Sequence, residues 1–160
     1  MKRNIEVIGG GTVYHVRNHL ALTAPAYGKT AREIYEWSLS YPDQYEVNIH
    51  LTKMAGGDKL ETNEDISNLL DGLIANPATK IIFFNPALVD FEGSICTSGA
   101  AGYEWSNEIL TASGKYNERL KTSEGEKLMK LTPAPKLVSK IRKERKDIFL
   151  VAFKTTCGAT

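Results

Sequence analysis

Hydrophobic residues recur along this chain with two different periods, and segments of the two kinds follow one another from the start. Residues 5–8 form a short, mostly apolar run that ends in three glycines, which is typical of a buried strand that enters a tight turn. From Lys29 to Ser38, apolar side chains recur at helical spacing. The predicted helix ends at Tyr41 and Pro42, because a residue before proline disfavours helical backbone.

The next two segments repeat this order of strand and helix. Residues 45–52 alternate apolar with polar side chains, which predicts a half-solvated strand near the edge of a sheet. The following helix has Thr62 or Asn63 as its cap, carries one apolar stripe and stops before Pro77. Its capping residue, stripe and proline agree, so both ends of this helix are predicted from local signals.

The second half of the chain is interpreted in the same way. Residues 81–84 predict a buried strand that ends in a polar loop, and the glycine, serine and threonine content of residues 93–102 predicts an irregular segment. A helix that opens with two prolines is predicted over residues 133–146, and a last strand over 148–153. Between them, a turn signal predicts a projecting β-hairpin near residues 117–131.

Strands that alternate with helices predict crossover connections and a mostly parallel sheet. We therefore expect a three-layer, Rossmann-like α/β fold with the projecting hairpin attached. At 160 residues and 42% hydrophobic content, the chain is long enough for one sizeable core and too short for two domains to be expected. The prediction is a single nucleotide-binding domain over residues 1–160.

The charge balance argues against two classes of partner, nucleic acids and membrane surfaces. With 20 Lys and Arg against 19 Asp and Glu, no global field attracts the chain to nucleic acid or to a membrane surface. The first residues contain no signal segment, and no stretch approaches the roughly 18 apolar residues of a membrane span, so we expect a cytoplasmic protein. Two distant cysteines predict neither a disulfide framework nor a zinc ribbon.

Three segments lie at the carboxyl ends of predicted strands, where open parallel sheets bind their ligands. They are residues 9–12, 85–90 and 153–154. The three glycines of the first segment let backbone amides approach a phosphate, and Thr12 adds a hydroxyl. The alternative interpretation is a glycine-rich turn that binds nothing.

A second anion site is predicted where the first helix begins. Gly28, Lys29 and Thr30 stand at its start, so backbone amides and a lysine charge lie at the positive end of the helix dipole. The segment is not a Walker sequence, because Thr23 and Ala24 stand where the upstream glycine is required. An ordinary helix start with a solvated lysine is the alternative.

Further candidates follow later strands. Asp90 ends a buried strand and is suited to hydrogen bonds from a nucleotide, or alternatively caps its own loop. Arg119 and Lys121 share one face of the predicted hairpin, where they suit a triphosphate or are simply solvated. His15 and His19 have helical spacing for zinc but no third ligand, so no metal-binding residues are predicted. The cations of residues 140–146 are expected to cover a helix end rather than to bind nucleic acid.

Seven short segments follow one another in a fixed order over nearly the whole chain. They are Gly10-Gly11-Thr12, Val16-Arg17, Gly28-Lys29, Pro86-Ala87-Leu88-Val89-Asp90-Phe91, Glu118-Arg119-Leu120-Lys121, Ala134-Pro135-Lys136-Leu137-Val138 and Val151-Ala152-Phe153-Lys154. In order and spacing these segments resemble the phosphopantothenoylcysteine synthetase family, the ligase module of the bifunctional coenzyme A biosynthesis flavoprotein.

The resemblance implies a ligase that joins 4'-phosphopantothenate to cysteine through an acyl-nucleotide intermediate, with CTP or ATP as co-substrate and Mg²⁺. It also implies a modified dinucleotide-binding sheet and a homodimer formed partly through the hairpin. The catalytic residues would be Arg17, Arg119 and Lys121. The nucleotide and substrate would contact Gly10, Gly11, Thr12, Gly28, Lys29, Ala87, Asp90, Pro135, Lys136, Leu137, Val138 and Phe153.

This chain departs from the family pattern, which keeps other functions open. Ala24 stands where the family has the asparagine that converts the acyl-nucleotide intermediate, and the family continues with a helix and a strand after the region of Thr160. A divergent or C-terminally truncated relative that binds a nucleotide or phosphorylated ligand without catalysis, or a partner subunit of such a ligase, is therefore the second hypothesis. A nicotinamide or flavin binder is the third, although strand two ends without the acidic residue that a ribose requires.

Overall fold

The computed structural model describes residues 2–97 and 109–154 of the chain. Its contacts divide the chain into two compact units. The first, which we call the sheet unit, comprises Met1–Thr12, Ala24–Leu88 and Lys136–Thr160. The second, which we call the hairpin unit, comprises Val13–Thr23 and Val89–Pro135. The single domain expected over residues 1–160 stays a prediction beside this division.

The sheet unit is built on four parallel strands, β1 (Arg3–Gly11), β4 (Tyr45–Leu51), β5 (Thr79–Ala87) and β9 (Phe149–Ala152). They lie side by side in the order β4-β1-β5-β9. The parallel Rossmann-like sheet is therefore confirmed. The alternating segment around β4 does lie at a sheet edge, as its half-polar pattern predicts.

Helices cover both faces of this sheet, which gives the three predicted layers. On one face, Ala31 of α1 (Lys29–Ser38) packs in a cluster with Ile5 and Val7 of β1. On the other face, α2 (Asn63–Ala75) and α3 (Val138–Glu144) share a cluster that contains Ile8 and Ile82. Because successive side chains of a strand point to opposite faces, Ile5 and Val7 lie on one face of β1 and Ile8 on the other, so β1 has buried apolar side chains on both faces.

The helix ends follow their local signals, with one exception. α2 begins with a capping box in which Thr62 and Asp65 hydrogen-bond each other's backbone amides. Burial alone would raise the pKa of Asp65, but hydrogen bonds from the amides of Thr62 and Glu61 outweigh it and lower that pKa. The exception is α3, which begins at Val138 and not in the 133–135 region, because that region belongs to a strand and a linker.

The hairpin unit contains two antiparallel sheets. β2 (Val13–Arg17) pairs with β3 (Leu20–Thr23), and β6 (Phe91–Thr97) lies between β7 (Ile109–Leu110) and β8 (Leu128–Pro133). The prediction of an irregular segment is wrong for residues 93–97, which belong to β6, because two neighbouring strands supply the hydrogen bonds that its glycine and serine positions need. Residues 98–102 lie outside the described part of the chain.

The antiparallel hairpin of this unit is formed by β2 and β3, whereas the segment near residues 117–131 pairs differently from the prediction. Its strand β8 pairs with β6, from Phe91 opposite Pro133 to Cys96 opposite Leu128. The arm at residues 119–121 is not a strand, and a short 3₁₀ helix, Thr122–Glu124, follows it. The interpretation of Arg119 and Lys121 as neighbours on one strand face is therefore wrong, because β8 pairs with β6 and not with residues 119–121.

Candidate functional site

The carboxyl ends of the four parallel strands form one edge of the sheet unit. Gly11 on β1 lies opposite Ala87 on β5 in the pairing register, and the amide of Thr12 donates to the carbonyl of Ala87 at 3.0 Å. The amide of Phe153 donates to the carbonyl of Phe84 at 3.2 Å, just after β9 ends. The structure thus puts predicted site residues from three separated segments at one edge.

The three glycines belong to β1 and do not form a loop after it, so the predicted glycine loop is wrong. A Cβ added to Gly9 would overlap the Cβ of Ala31 on α1, and a Cβ on Gly10, whose φ is 103°, would overlap Thr52. A Cβ on Gly11 would overlap the carbonyl oxygen of Ala24. The space above these glycines is filled by the protein itself, so close packing accounts for them without a ligand.

Thr12 is fully buried at the end of this tract. Its hydroxyl donates to Oδ1 of Asn63, the first residue of α2, at 2.7 Å. Thr12 therefore ties the end of β1 to the start of α2, and its hydroxyl already has a partner within the protein. Its predicted role as a ligand contact stays a prediction.

The start of α1 differs from the start of α2. Gly28 caps α1 in the left-handed region, with φ 74° and ψ 16°, no side chain caps the helix, and its first turn has no acidic residue. Lys29 is almost fully exposed, and its Nζ lies 4.0 Å from Glu33. Because the first amides of a helix lack partners within the helix, this end can accept an anion.

Two further residues near the start of α1 were not identified from the sequence. Arg32 donates from Nη1 to the carbonyl of Tyr27 at 2.8 Å and from Nη2 to the carbonyl of Ala55. The hydroxyl of Thr52 is buried and has no hydrogen-bond partner among the described residues. Helical spacing could have found Arg32, which lies four residues after Gly28, but no sequence signal marks the hydroxyl of Thr52.

Arg17, in the hairpin unit, is buried with 7% of its surface exposed. Its Nη1 donates to the carbonyls of Val16 and Ala112 at 2.6 and 2.9 Å, and its Nη2 donates to the hydroxyl of Thr111. No carboxylate of a described residue lies within ion-pair distance of this guanidinium. A buried cation held only by neutral acceptors is suited to an anion, although three of its five N–H groups are already used.

Arg119 and Lys121 line a concavity of about 630 Å³ in the same unit, together with the hydroxyl residues Thr122 and Ser123. Glu124, which follows, is paired with Lys127 at 2.9 Å, and that pair lowers the pKa of Glu124. Glu118, which is equally near to Lys121 in sequence, also lines the concavity, so the lining carries two cations and one carboxylate. Two cations and two hydroxyls in one concavity can hold phosphate oxygens.

The remaining predicted contacts have mixed environments. Asp90 is exposed at the start of the β6 region, and its carbonyl accepts from the amide of Ala134 at 2.8 Å. Leu137 is buried in the core of the sheet unit and Val138 packs against the same cluster, whereas Pro135 and Lys136 are exposed. Core packing accounts for Leu137, so a role in framing a nucleotide base stays a prediction.

The described residues offer neither a cluster of metal ligands nor a membrane-spanning helix. Within residues 2–97 and 109–154, no group of three or more His, Cys, Asp or Glu side chains could hold a metal ion. His15 belongs to β2 and His19 to the turn after it, so their helical spacing does not apply. None of the described helices is long and apolar enough to span a membrane.

Comparison with known proteins gives a structural relative. No family model matches the sequence, and no curated protein matches it. Among solved structures, the chain is similar to the DNA/pantothenate metabolism flavoprotein from Streptococcus pneumoniae, with a TM-score of 0.70 and 20% sequence identity. The similarity covers 100% of this chain and 70% of that chain. At this identity the similarity shows the fold, and it confirms the Rossmann-like α/β architecture.

Proposed function

We propose that this chain is a ligase-like domain that joins 4'-phosphopantothenate to cysteine through an acyl-nucleotide intermediate. The fold supports this, because its whole length superimposes on a protein named for pantothenate metabolism. The order of segments that resembles the phosphopantothenoylcysteine synthetase family supports it independently. The two arguments rest on different observations, one on the backbone and one on the residues.

The observation that carries the proposal is the difference between the two helices that start at the carboxyl edge of the sheet. The start of α2 has a capping box formed by Thr62 and Asp65, and its first turn carries the carboxylates of Glu64 and Asp65, which disfavour an anion there. The start of α1 has no such cap, and Lys29 projects from it into solvent. We propose that the phosphate of the substrate binds there, where amides, helix dipole and lysine all favour negative charge.

The chemistry needs a second phosphate site for the nucleotide. The substrate carboxylate attacks the α-phosphorus of CTP or ATP and pyrophosphate leaves; the cysteine amine then attacks the acyl carbonyl and displaces the nucleoside monophosphate. Arg119 and Lys121 would neutralise the triphosphate. Mg²⁺ usually binds through substrate phosphates and one or two carboxylates, so it would come with the nucleotide and needs no preformed cage of protein ligands. The resemblance makes Asp90 the nucleotide contact closest to this role.

Binding without catalysis is the second candidate, and the state of Arg17 favours it. Three of its N–H groups already bind Val16, Ala112 and Thr111. A guanidinium used in this way holds the hairpin unit together and has two donors left for a substrate. If those two donors are insufficient for the transition state, the chain would bind the phosphorylated ligand and not turn it over.

One experiment separates the two candidates. The protein is incubated with phosphopantothenate, labelled CTP or ATP, Mg²⁺ and cysteine, while pyrophosphate and the thiol product are measured. Release of both supports the ligase. If calorimetry shows binding of phosphopantothenate or nucleotide while neither product forms, the ligase proposal is wrong and the binding function stands. Loss of nucleotide affinity in the Asp90→Ala variant would support a role for Asp90 in nucleotide binding, and unchanged affinity would exclude Asp90 from the site.

The phosphate site itself is tested by Lys29→Glu. The new carboxylate interacts favourably with the helix dipole but repels Glu33, which lies four residues later on α1, so the free energy of unfolding should change by less than about 1 kcal/mol. Affinity for phosphopantothenate should nevertheless fall by about tenfold or more, because the carboxylate repels the phosphate. Lys143→Glu, an equal charge reversal in the last turn of α3, is the matched control and should leave affinity unchanged. If the two substitutions changed the affinity for phosphopantothenate equally, the start of α1 would not be the phosphate site.

A further inference from the structure

Residues 118–123, which we call the concavity segment, line the concavity of about 630 Å³ in the hairpin unit. Within residues 2–97 and 109–154, the hydrogen bonds of this segment reach only the two residues that follow it, and none joins it to another part of the chain. A segment with so few hydrogen bonds depends for its placement on the residues at its two ends. The way in which Asn117, directly before it, is held therefore matters for the position of every group in the concavity.

Asn117 is held by three hydrogen bonds of its own. Its amide donates to the carbonyl of Gly114 at 3.2 Å, and its carbonyl accepts from the amide of Asn18 at 3.2 Å. Its side-chain Nδ2 donates to the carbonyl of Ala112 at 2.6 Å. The first bond closes a four-residue turn, and the second ties that turn to the residue after β2. Asn117 is thus a fixed point at the start of the concavity segment.

Arg17 binds the same carbonyl group as Asn117. Its Nη1 donates to the carbonyl of Ala112 at 2.9 Å, so this oxygen accepts from two side chains, one on β2 and one in the turn. The Nη2 of Arg17 donates to the hydroxyl of Thr111, which in turn donates to the carbonyl of Ile95 on β6 at 3.0 Å. Because Arg17 is buried, water does not readily replace these bonds. The guanidinium therefore joins the turn to two strands of the hairpin unit.

We propose that Arg17 and Asn117 are positioning residues for the concavity segment. Together they fix its first end, so that Arg119 and Lys121 present their charges to the phosphates of the nucleotide. This inference rests on the proposed function, because it takes the concavity as the site of those phosphates. It differs from the catalytic role that the resemblance implies for Arg17, since the guanidinium acts on the turn and not on the ligand. Its planar fork can hold two acceptors at once, which suits this task.

The test measures the binding of inorganic tripolyphosphate to the full chain by calorimetry, because this probe reports on the phosphate site alone. Asn117→Ala removes only the bond to Ala112 and should lower the affinity about fivefold, the equivalent of one hydrogen bond. Arg17→Lys keeps the buried charge but loses the fork, and should lower the affinity by a similar factor. Asn76→Ala is the matched control. It removes a side chain that accepts from the amide of Ala78 at 3.0 Å in the sheet unit, and should leave the affinity unchanged.

A second measurement separates positioning from a loss of stability. Circular dichroism gives a temperature at which every variant is folded, and the affinities are compared there. In a Lys121→Ala chain, which keeps Arg119 for binding, adding Asn117→Ala should lower the affinity by less than about twofold, because Asn117 acts partly through Lys121.

Three results would overturn the inference. If Asn117→Ala or Arg17→Lys binds tripolyphosphate as the original chain does, neither residue positions the segment, and the proposed phosphate site still stands. The same holds if Asn117→Ala costs the full fivefold in the Lys121→Ala chain. If the original chain binds neither tripolyphosphate nor CTP, the concavity is not a phosphate site, and the proposed nucleotide binding fails together with this inference.

Discussion

Glu6 is a carboxylate buried in the middle of β1, and the donor on its Oε2 is the ring of His50 on the neighbouring strand β4. Only 2% of Glu6 is exposed, and Nε2 of His50 lies 2.8 Å from that oxygen. The other oxygen, Oε1, accepts hydrogen bonds from the side-chain amides of Asn4 and Asn48 at 3.2 and 3.3 Å, near the long end of the hydrogen-bond range. We therefore predict that His50→Leu destabilises the protein although leucine is the more apolar residue.

The magnitude follows from the short bond. A hydrogen bond to a charged group contributes about 1.5–3 kcal/mol, and burial keeps water from replacing it at Oε2. We expect His50→Leu to lower the free energy of unfolding by about 2 kcal/mol, or the Tm by about 4–8 °C in a chain of this size. The double variant Glu6→Leu, His50→Leu should recover most of this loss, because replacing both partners with apolar groups removes the desolvated charge.

Urea denaturation at neutral pH, followed by circular dichroism, measures both variants against the original chain. Two results would refute the reasoning about Glu6. One is a His50→Leu protein as stable as the original, which would mean that water or a rearranged side chain satisfies the carboxylate. The other is a double variant no more stable than His50→Leu, which would place the loss in packing and not in the charge.

Two further predictions concern packing and pH. Gly9→Ala should destabilise by about 1–3 kcal/mol, because its Cβ overlaps that of Ala31, and Ala31→Gly in the same chain should recover part of the loss. Asp65→Asn should cost stability at neutral pH but not in acid. The folded-state pKa of Asp65 lies below its ordinary value of 3.8, so its contribution is present above pH 3.8 and is lost as the pH falls through the lowered folded value.

The controls for these two predictions lie on α2. Gly72→Ala meets no atom within 4 Å and replaces glycine inside a helix, so it should stabilise by about 0.5–1 kcal/mol under the denaturation assay that follows Gly9→Ala. If Gly9→Ala and Gly72→Ala changed the free energy of unfolding in the same direction, the packing argument would be contradicted. For Asp65, thermal unfolding measured from pH 7 to pH 2 should show the variant and original curves converge in acid. A constant difference over that range would show that the carboxylate charge is not involved.

The elements predicted best from the sequence are those with local signals at their ends. α1 and α2 begin where Lys29 and Thr62 indicate and end at Ser38 and Ala75, a few residues before Pro42 and Pro77, because caps and prolines act over short distances. The segment at residues 93–97 was misread because strand formation there depends on β7 and β8. Strand propensity is set by the partner strand more than by the residues themselves, so composition alone could not predict it.

The glycines and Glu6 show a second limit. A glycine tract after a strand is consistent with a phosphate or with a closely packed helix, and only the position of Ala31 decides between them. Glu6 stands in an apolar run, and its partners Asn48 and His50 lie 42 and 44 residues away. Sequence reasoning finds the strand but not the charge network that crosses to its neighbour. It did find the uncapped start of α1, because glycine followed by lysine at a helix start is a local pattern.

The strand order β4-β1-β5-β9 also bears on how the chain is made. β1 leaves the ribosome first, yet its neighbours β4 and β5 begin at Tyr45 and Thr79, and β9 begins only at Phe149. During translation the backbone edges of β1 therefore stay unpaired until both neighbouring strands have been made, more than seventy residues after β1 begins. Sheets with such distant pairings fold slowly and expose unpaired edges meanwhile. We expect the yield of folded protein to depend on chaperones and on the speed of synthesis, and to improve at low temperature.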